Sequence, residues 1–251
     1  MASSQTSNQA NTQVLKRIGS LIPSSNTVQE REFYDALPKG TSLHISRLKL
    51  THVEAESTIK IVEKLGEASA TLADADVDVL LLGLTAPSSR KGLGYDKTLK
   101  KMMEDASGKP ATTAATATIE ALNLLGVKRL AFCAPWTDEI NGFSVSFLEA
   151  NGIEVPQHKA LGIAKNLDIG RLDSSTAYDM ALELDRPDID AIMLACGNWY
   201  TMEVIDKLEQ KTGKPVLTTN QVSLWGALKI LGHLDSLPGY GMLLRDHLKN
   251  K

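Results

Sequence analysis

Asp190-Ala191-Ile192-Met193-Leu194-Ala195-Cys196-Gly197-Asn198-Trp199-Tyr200-Thr201 begins as an unbroken apolar run and stops at a thiol, a glycine and a cluster of polar and aromatic side chains. The run suits a strand buried on both faces, as in a parallel sheet flanked by helices. In open α/β sheets ligands bind just beyond the carboxyl ends of the strands. Cys196 falls at that point, beside a glycine that lets backbone come close, so it is a candidate reactive group. The competing reading is packing, because free cysteine is among the most buried residue types.

The same pattern occurs once before. Asp78-Val79-Leu80-Leu81-Leu82-Gly83-Leu84 lies about 110 residues upstream, and each copy is followed by Gly-Lys-Pro, at Gly108-Lys109-Pro110 and Gly213-Lys214-Pro215. Thr-rich sequence, a helix and Leu-Gly come next in both, at Leu125-Gly126 and Leu231-Gly232. This reads as an internal duplication of an α/β unit, with one motif over residues 78–126 and the other over 190–232. Two such halves facing each other bring Leu84 and Cys196 to opposite sides of one cleft.

Composition narrows the partners. The chain has 251 residues, 43% hydrophobic and 23% charged, with a net charge of −3. That balance gives no reason to expect nucleic acid or an anionic membrane surface. Two cysteines do not make a disulfide framework, so a reducing, cytoplasmic setting is expected. Residues 1–13 are rich in Ser, Gln, Asn and Thr and are expected to be a disordered tail ahead of one folded unit, 14–251, with two interleaved lobes.

Between these landmarks the order is α/β throughout. Leu15 to Ile22 reads as a strand, closed by Pro23-Ser24-Ser25-Asn26-Thr27, and Val28 to Ala36 as a helix. Ser25, Asn26 or Thr27 can cap that helix, with Gln29 or Glu30 closing a capping box; the same turn is equally a ready anion site. Ser42 to Leu50 alternates as a strand, and Val53 to Ala75 carries a helical apolar stripe. Thr85 to Ser89 is the polar exit of the 78–84 strand, and Gly92 and Gly94 read as loop. Thr112 to Leu125, Asn141 to Ala150, Thr176 to Leu184, Val204 to Thr212 and Val222 to Leu231 read as helices. Val127 to Ala134 reads as a strand holding a core Cys133, and Pro215 to Leu217 as a short strand.

With these residues in view, the sequence resembles the aspartate/glutamate racemase superfamily, in its maleate cis-trans isomerase and arylmalonate decarboxylase branch. The likeness is carried by Leu21 to Thr27, Ala134 to Asn141, Ile163 to Arg171 and Thr219-Asn220-Gln221, in that order. It implies two pseudo-symmetric lobes, each a mainly parallel sheet flanked by helices, with the active site between them. It also implies chemistry without metal or organic cofactor on a small carboxylate, with a homo-oligomer possible. Many members place one cysteine on each lobe. Cys196 matches the second, whereas the first position holds Leu84, which cannot serve as nucleophile, acid or base. Ala195-Cys196-Gly197-Asn198 is similar to the single-cysteine motif of the decarboxylases, and Trp136 stands where the family usually has tyrosine.

The expected catalytic residue is therefore Cys196. The expected substrate-binding residues are Pro23, Ser25, Asn26, Leu84, Thr85, Ala86, Trp136, Asn166, Gly197 and Asn198. Thr85 and Asn26 have a structural alternative as caps, and Trp136 as packing. The leading expectation is a cofactor-independent decarboxylase of a malonate-type acid, its enediolate protonated by Cys196. The alternatives are an isomerase or lyase on an unsaturated, maleate-like dicarboxylate with Cys196 as nucleophile, and a non-catalytic carboxylate binder.

Overall fold

The computed structural model describes residues 15–52, 57 and 60–248. The expected tail over 1–13 and part of the expected helix from Val53 lie outside the described residues. The first half runs β1 (Lys16–Pro23), α1 (Gln29–Ala36), β2 (Thr41–Leu48), a 3-10 turn (Ile61–Lys64), α2 (Leu65–Ala73), β3 (Val79–Leu82), α3 (Ala86–Lys91), α4 (Tyr95–Ser107), β4 (Ala111–Thr113) and α5 (Ala114–Leu124). The second runs β5 (Arg129–Ala134), α6 (Asp138–Ala150), β6 (Glu154–Ala160), α7 (Asn166–Ile169), α8 (Ser174–Leu184), β7 (Ala191–Leu194), a 3-10 turn (Met202–Val204), α9 (Ile205–Thr212), β8 (Val216–Thr218), α10 (Thr219–Ile230) and α11 (Gly241–Asp246).

Two four-stranded sheets result, in the orders β2-β1-β3-β4 and β6-β5-β7-β8, every pairing parallel. The apolar runs predicted as doubly buried strands, Val79–Leu82 and Ala191–Leu194, are buried at every position and sit inside their sheets. The fold is the α/β arrangement expected from the sequence.

The likeness between the halves extends to individual hydrogen bonds. Asp78 Oδ2 accepts from the Arg17 amide at 2.7 Å, and Asp190 Oδ2 accepts from the Lys128 and Arg129 amides at 2.8 Å, so each pins the start of the neighbouring strand. Gly108 and Gly213 end α4 and α9 with φ of 67° and 68°, a left-handed conformation that glycine adopts without steric cost. Glu104 and Glu209, one turn earlier, accept from the amides of Ala111 and Val216 at the start of the next strand. Thr113 and Thr218 then cap α5 and α10, the second with a full capping box through Gln221.

Three elements differ from the expectation. The segment from Thr112 is not all helix: Ala111–Thr113 pairs with β3, and Thr113, as N-cap, starts α5. The polar exit after β3 folds into the short helix α3, with Pro87 in its first turn, where a missing N–H costs nothing, and Gly92 and Gly94 lie in the loop beyond it, as expected. Helix α4 is not expected from the sequence, because only Asp96, Leu99 and Met103 of its thirteen residues are buried. Helix α10 matters most for the site. It is buried from Thr219 to Leu228, packs along α5, and reaches β3 and β4 of the first sheet.

Candidate active site

The carboxyl ends of β3 and β7 meet. A methyl group on Gly197 would lie 3.0 Å from the Gly83 carbonyl oxygen, so the two strand exits are in near contact. Beside them is a small cavity lined by Pro23, Asn26, Leu84, Thr85, Ala86, Trp136, Asn166, Cys196, Gly197 and Asn198, together with Leu50 and Gly83. Nine of the ten expected binding residues thus line the same cavity as Cys196. Ser25 stands one layer back, accepting from Asn166 Nδ2 at 2.9 Å while its own hydroxyl donates to the Leu50 carbonyl.

The polar wall is held by an amide network that crosses between the halves. Asn26 Oδ1 accepts from the Val28 and Gln29 amides at 3.0 and 2.9 Å, and its Nδ2 donates to the Gly197 carbonyl at 2.9 Å. Asn198 Oδ1 accepts from the Thr27 amide at 2.7 Å, and its Nδ2 donates to the Asn166 carbonyl at 2.6 Å. Asn26 therefore both supports α1 and ties the halves together. Each of these amides, and that of Asn166, has a second hydrogen left uncommitted by these bonds. The Thr85 hydroxyl does not cap α3. Trp136 is 4% exposed, and its indole N–H has no partner among the described residues. A buried unsatisfied donor costs about 1–3 kcal/mol.

Cys196 is 5% exposed. Its amide donates to Thr219 Oγ1 at 3.0 Å, and the Asn198 amide points at its sulfur at 3.4 Å. Burial pushes the thiol up to about 12; the Asn198 amide pulls it down and the Glu32 carboxylate pushes it up further. It is a protonated thiol at neutral pH. Cys133, fully buried in β5, is likewise pushed up to about 12 by burial and is part of the core.

Sequence reasoning missed three buried polar residues behind the Cys196 turn. Glu32 accepts from the Thr201 and Met202 amides at 2.7 and 2.8 Å and from Asn220 Nδ2 at 2.6 Å. Asn220 Oδ1 accepts from Gln29 Nε2 at 2.7 Å, and Gln29 Nε2 also donates to the Gly83 carbonyl at 3.2 Å. A signal was available: the buried positions of α1 are Gln29, Glu32, Phe33 and Ala36, the i, i+3, i+4, i+7 core stripe. Two polar residues on that stripe mark an interior polar contact.

Residues 18–244 match the family model described as arylmalonate decarboxylase. The chain belongs to the arylmalonate decarboxylase family. Among curated relatives, a maleate isomerase from Pseudomonas putida is 31% identical over 92% of this chain and 97% of its own. An arylmalonate decarboxylase from Bordetella bronchiseptica is 29% identical over 79% of this chain and 84% of its own. Among solved structures, a cysteine-to-alanine variant of a Pseudomonas putida S16 maleate isomerase with maleate superposes with a TM-score of 0.90 at 27% identity, covering 93% of this chain and 98% of that one. A cysteine-to-serine variant of Nocardia farcinica maleate cis-trans isomerase, which carries a covalent succinylcysteine intermediate, gives 0.89 at 25% identity over 92% and 98%. These relatives are lyases and isomerases, and this member of the family is an enzyme. No helix among its described residues is long and apolar enough to cross a membrane.

Proposed function

We propose that the protein decarboxylates a malonate-type or related small carboxylic acid, with Cys196 protonating the enediolate. One observation carries this reading. The cavity has a single thiol, held protonated by burial, and the inert side chain of Leu84 lines it where the first-half cysteine is expected. In the reaction the bond between the substrate carbon and one carboxylate breaks, carbon dioxide leaves, and the electron pair delocalises into the remaining carboxylate as an enediolate. Cys196 gives its proton to that carbon and is reprotonated from solvent.

The enediolate needs donors already in place, and loss of one such donor costs about 10²–10³ in rate. The Thr85 hydroxyl, the Trp136 indole N–H and the uncommitted amide hydrogens of Asn26 and Asn166 are the candidates. Pro23, Leu50 and Leu84 supply an apolar wall against the departing carboxylate. A dry wall disfavours the localised charge of the reactant more than the spread charge of the product.

The second reading is cis-trans isomerisation of a maleate-like acid with Cys196 as nucleophile. It is favoured by the fuller alignment with maleate isomerase, 92% of this chain against 79% for the decarboxylase. The succinylcysteine of the Nocardia farcinica isomerase forms in a variant already lacking one cysteine, so that protein has a further thiol available. This cavity has one. Carbon dioxide release from phenylmalonate and maleate-to-fumarate conversion are to be measured side by side, on the wild type and Cys196→Ala. Phenylmalonate turnover that vanishes with the thiol supports decarboxylation. Fumarate formation with a mass adduct on Cys196 transfers the assignment to the isomerase.

A further inference from the structure

The buried trio behind the cavity has a direction. Glu32 receives three hydrogen bonds, from the Thr201 and Met202 amides and from Asn220 Nδ2. An acceptor at position 32 forces Asn220 to present its Nδ2 there, and so its Oδ1 to Gln29. Gln29 must answer with its own Nε2, and this is the group that also reaches the Gly83 carbonyl. Asn220 Nδ2 further touches the Gly197 carbonyl at 3.3 Å. The chain of donors and acceptors thus ends on both strand exits, beside Leu84 and beside Cys196. It leaves Gln29 Oε1 buried without a partner among the described residues. In the reversed chain that oxygen would accept from Asn220, so two discrete arrangements of the same amides compete.

We propose that Glu32 is a positioning residue for the Cys196 turn: as an acceptor-only side chain it imposes one direction on the Asn220–Gln29 amide chain, which holds the Gly83 and Gly197 carbonyls in place. The inference rests on Cys196 being the site thiol. Burial pushes Glu32 up to about 7, opposed by its three donors and aided by Glu203, so protonation near neutrality favours the reversed chain. The other titratable neighbours are Cys196 itself and Tyr240. On its outer side Glu32 borders an open hollow, where Arg31 pairs with Asp35, Arg171 pairs with Asp168, Asp173 caps α8, and Tyr200 completes the rim.

The test reads the thiol directly, so it does not depend on which reaction the enzyme performs. Iodoacetamide alkylation of Cys196 is followed from pH 6 to 8 in a Cys133→Ala background, for Glu32 and for Glu32→Gln. Thiolate-limited alkylation rises about tenfold per pH unit. With Glu32 present the rise is shallower, because ionising Glu32 opposes thiolate formation; with glutamine the full slope returns. Turnover on whichever of phenylmalonate and maleate is the substrate falls roughly tenfold to a hundredfold in Glu32→Gln, mostly in kcat. The double variant Glu32→Gln, Asn220→Asp restores an acceptor facing Gln29, and with it the Gly83 contact, but gives up the Asn220 bond to the Gly197 carbonyl; it recovers part of that loss, a coupling that independent structural damage does not give. Equal alkylation slopes, no recovery in the double variant, or failure of both variants to fold each overturns the proposal. An altered alkylation slope in a protein that turns over neither phenylmalonate nor maleate leaves it standing and removes the proposed reaction instead.

Discussion

The two strand exits, Gly83-Leu84-Thr85 and Ala195-Cys196-Gly197, occupy equivalent places in sheets of the same strand order, yet only one carries a thiol. The frame beneath them is the same down to the aspartate that starts each strand and the threonine that caps each later helix. The two differ in the segment that leaves each strand. After β3 the chain turns directly into helix α3, and the Thr85 side chain makes no cap at its mouth. After β7 it enters a turn whose carbonyls and side chains are bonded to Asn26, Thr27 and Asn220 of the network. The two sheets share one strand order, and the asymmetry lies in the exits. One exit presents a thiol to the cavity and the other an aliphatic side chain.

The largest effect expected from disturbing this contrast is at the thiol. Cys196→Ala lowers kcat by about 10³, within the range for loss of a positioned acid, with little change in melting temperature. Undiminished carbon dioxide release by that variant would sink the one-thiol mechanism. Next comes Glu32, pushed up to about 7 from an ordinary 4.5. A carboxyl whose folded value is raised contributes stability that is complete below about 4.5 and is lost as pH climbs through about 7. The change is on the order of 3 kcal/mol across that window. Urea unfolding between pH 5 and 8 therefore declines more steeply for the wild type than for Glu32→Gln; parallel curves contradict the shift.

Gly83→Ala is a third probe, of the contact between the exits. Its methyl would meet Gln29 Oε1 at 2.1 Å, so the buried amide must move. Overpacking of this kind costs about 1–3 kcal/mol, read from the denaturation midpoint, with activity falling alongside. The smallest change in rate is expected from Leu84→Cys, which makes the exits chemically alike. Turnover stays within about tenfold, while product from a prochiral substrate loses its single handedness, as chiral chromatography would register.

Much of this was legible in the sequence, for reasons that also explain the parts that were hidden. Val79–Leu82 and Ala191–Leu194 are apolar throughout because both faces are covered, and their recurrence marked the equivalent central strands of the two sheets. Cys196 could be singled out because a thiol directly after such a strand has a known position in the fold. Helix α4 was hidden because it lies outermost and buries so little of itself, and β4 because three residues of Ala and Thr extend smoothly into a helix of the same composition. Glu32 and Gln29 were hidden differently. Their partners lie 170 and 191 residues away, and nothing local distinguishes them from the half-buried Glu30 and the exposed Arg31 beside them except their place on the core stripe.

Helix α10 carries a consequence for how the protein is made. It belongs by sequence to the end of the chain, yet it covers β3 and β4, which are synthesised roughly a hundred residues earlier. A growing chain thus has its first sheet with one face open while all of the second sheet is still being translated. Contacts of such long sequence separation form slowly, so the nascent protein passes through a period in which Leu80 to Leu82 are available to the wrong partner. Chaperone demand and yield on expression should track the emergence of residues 219–230 more closely than the completion of either sheet.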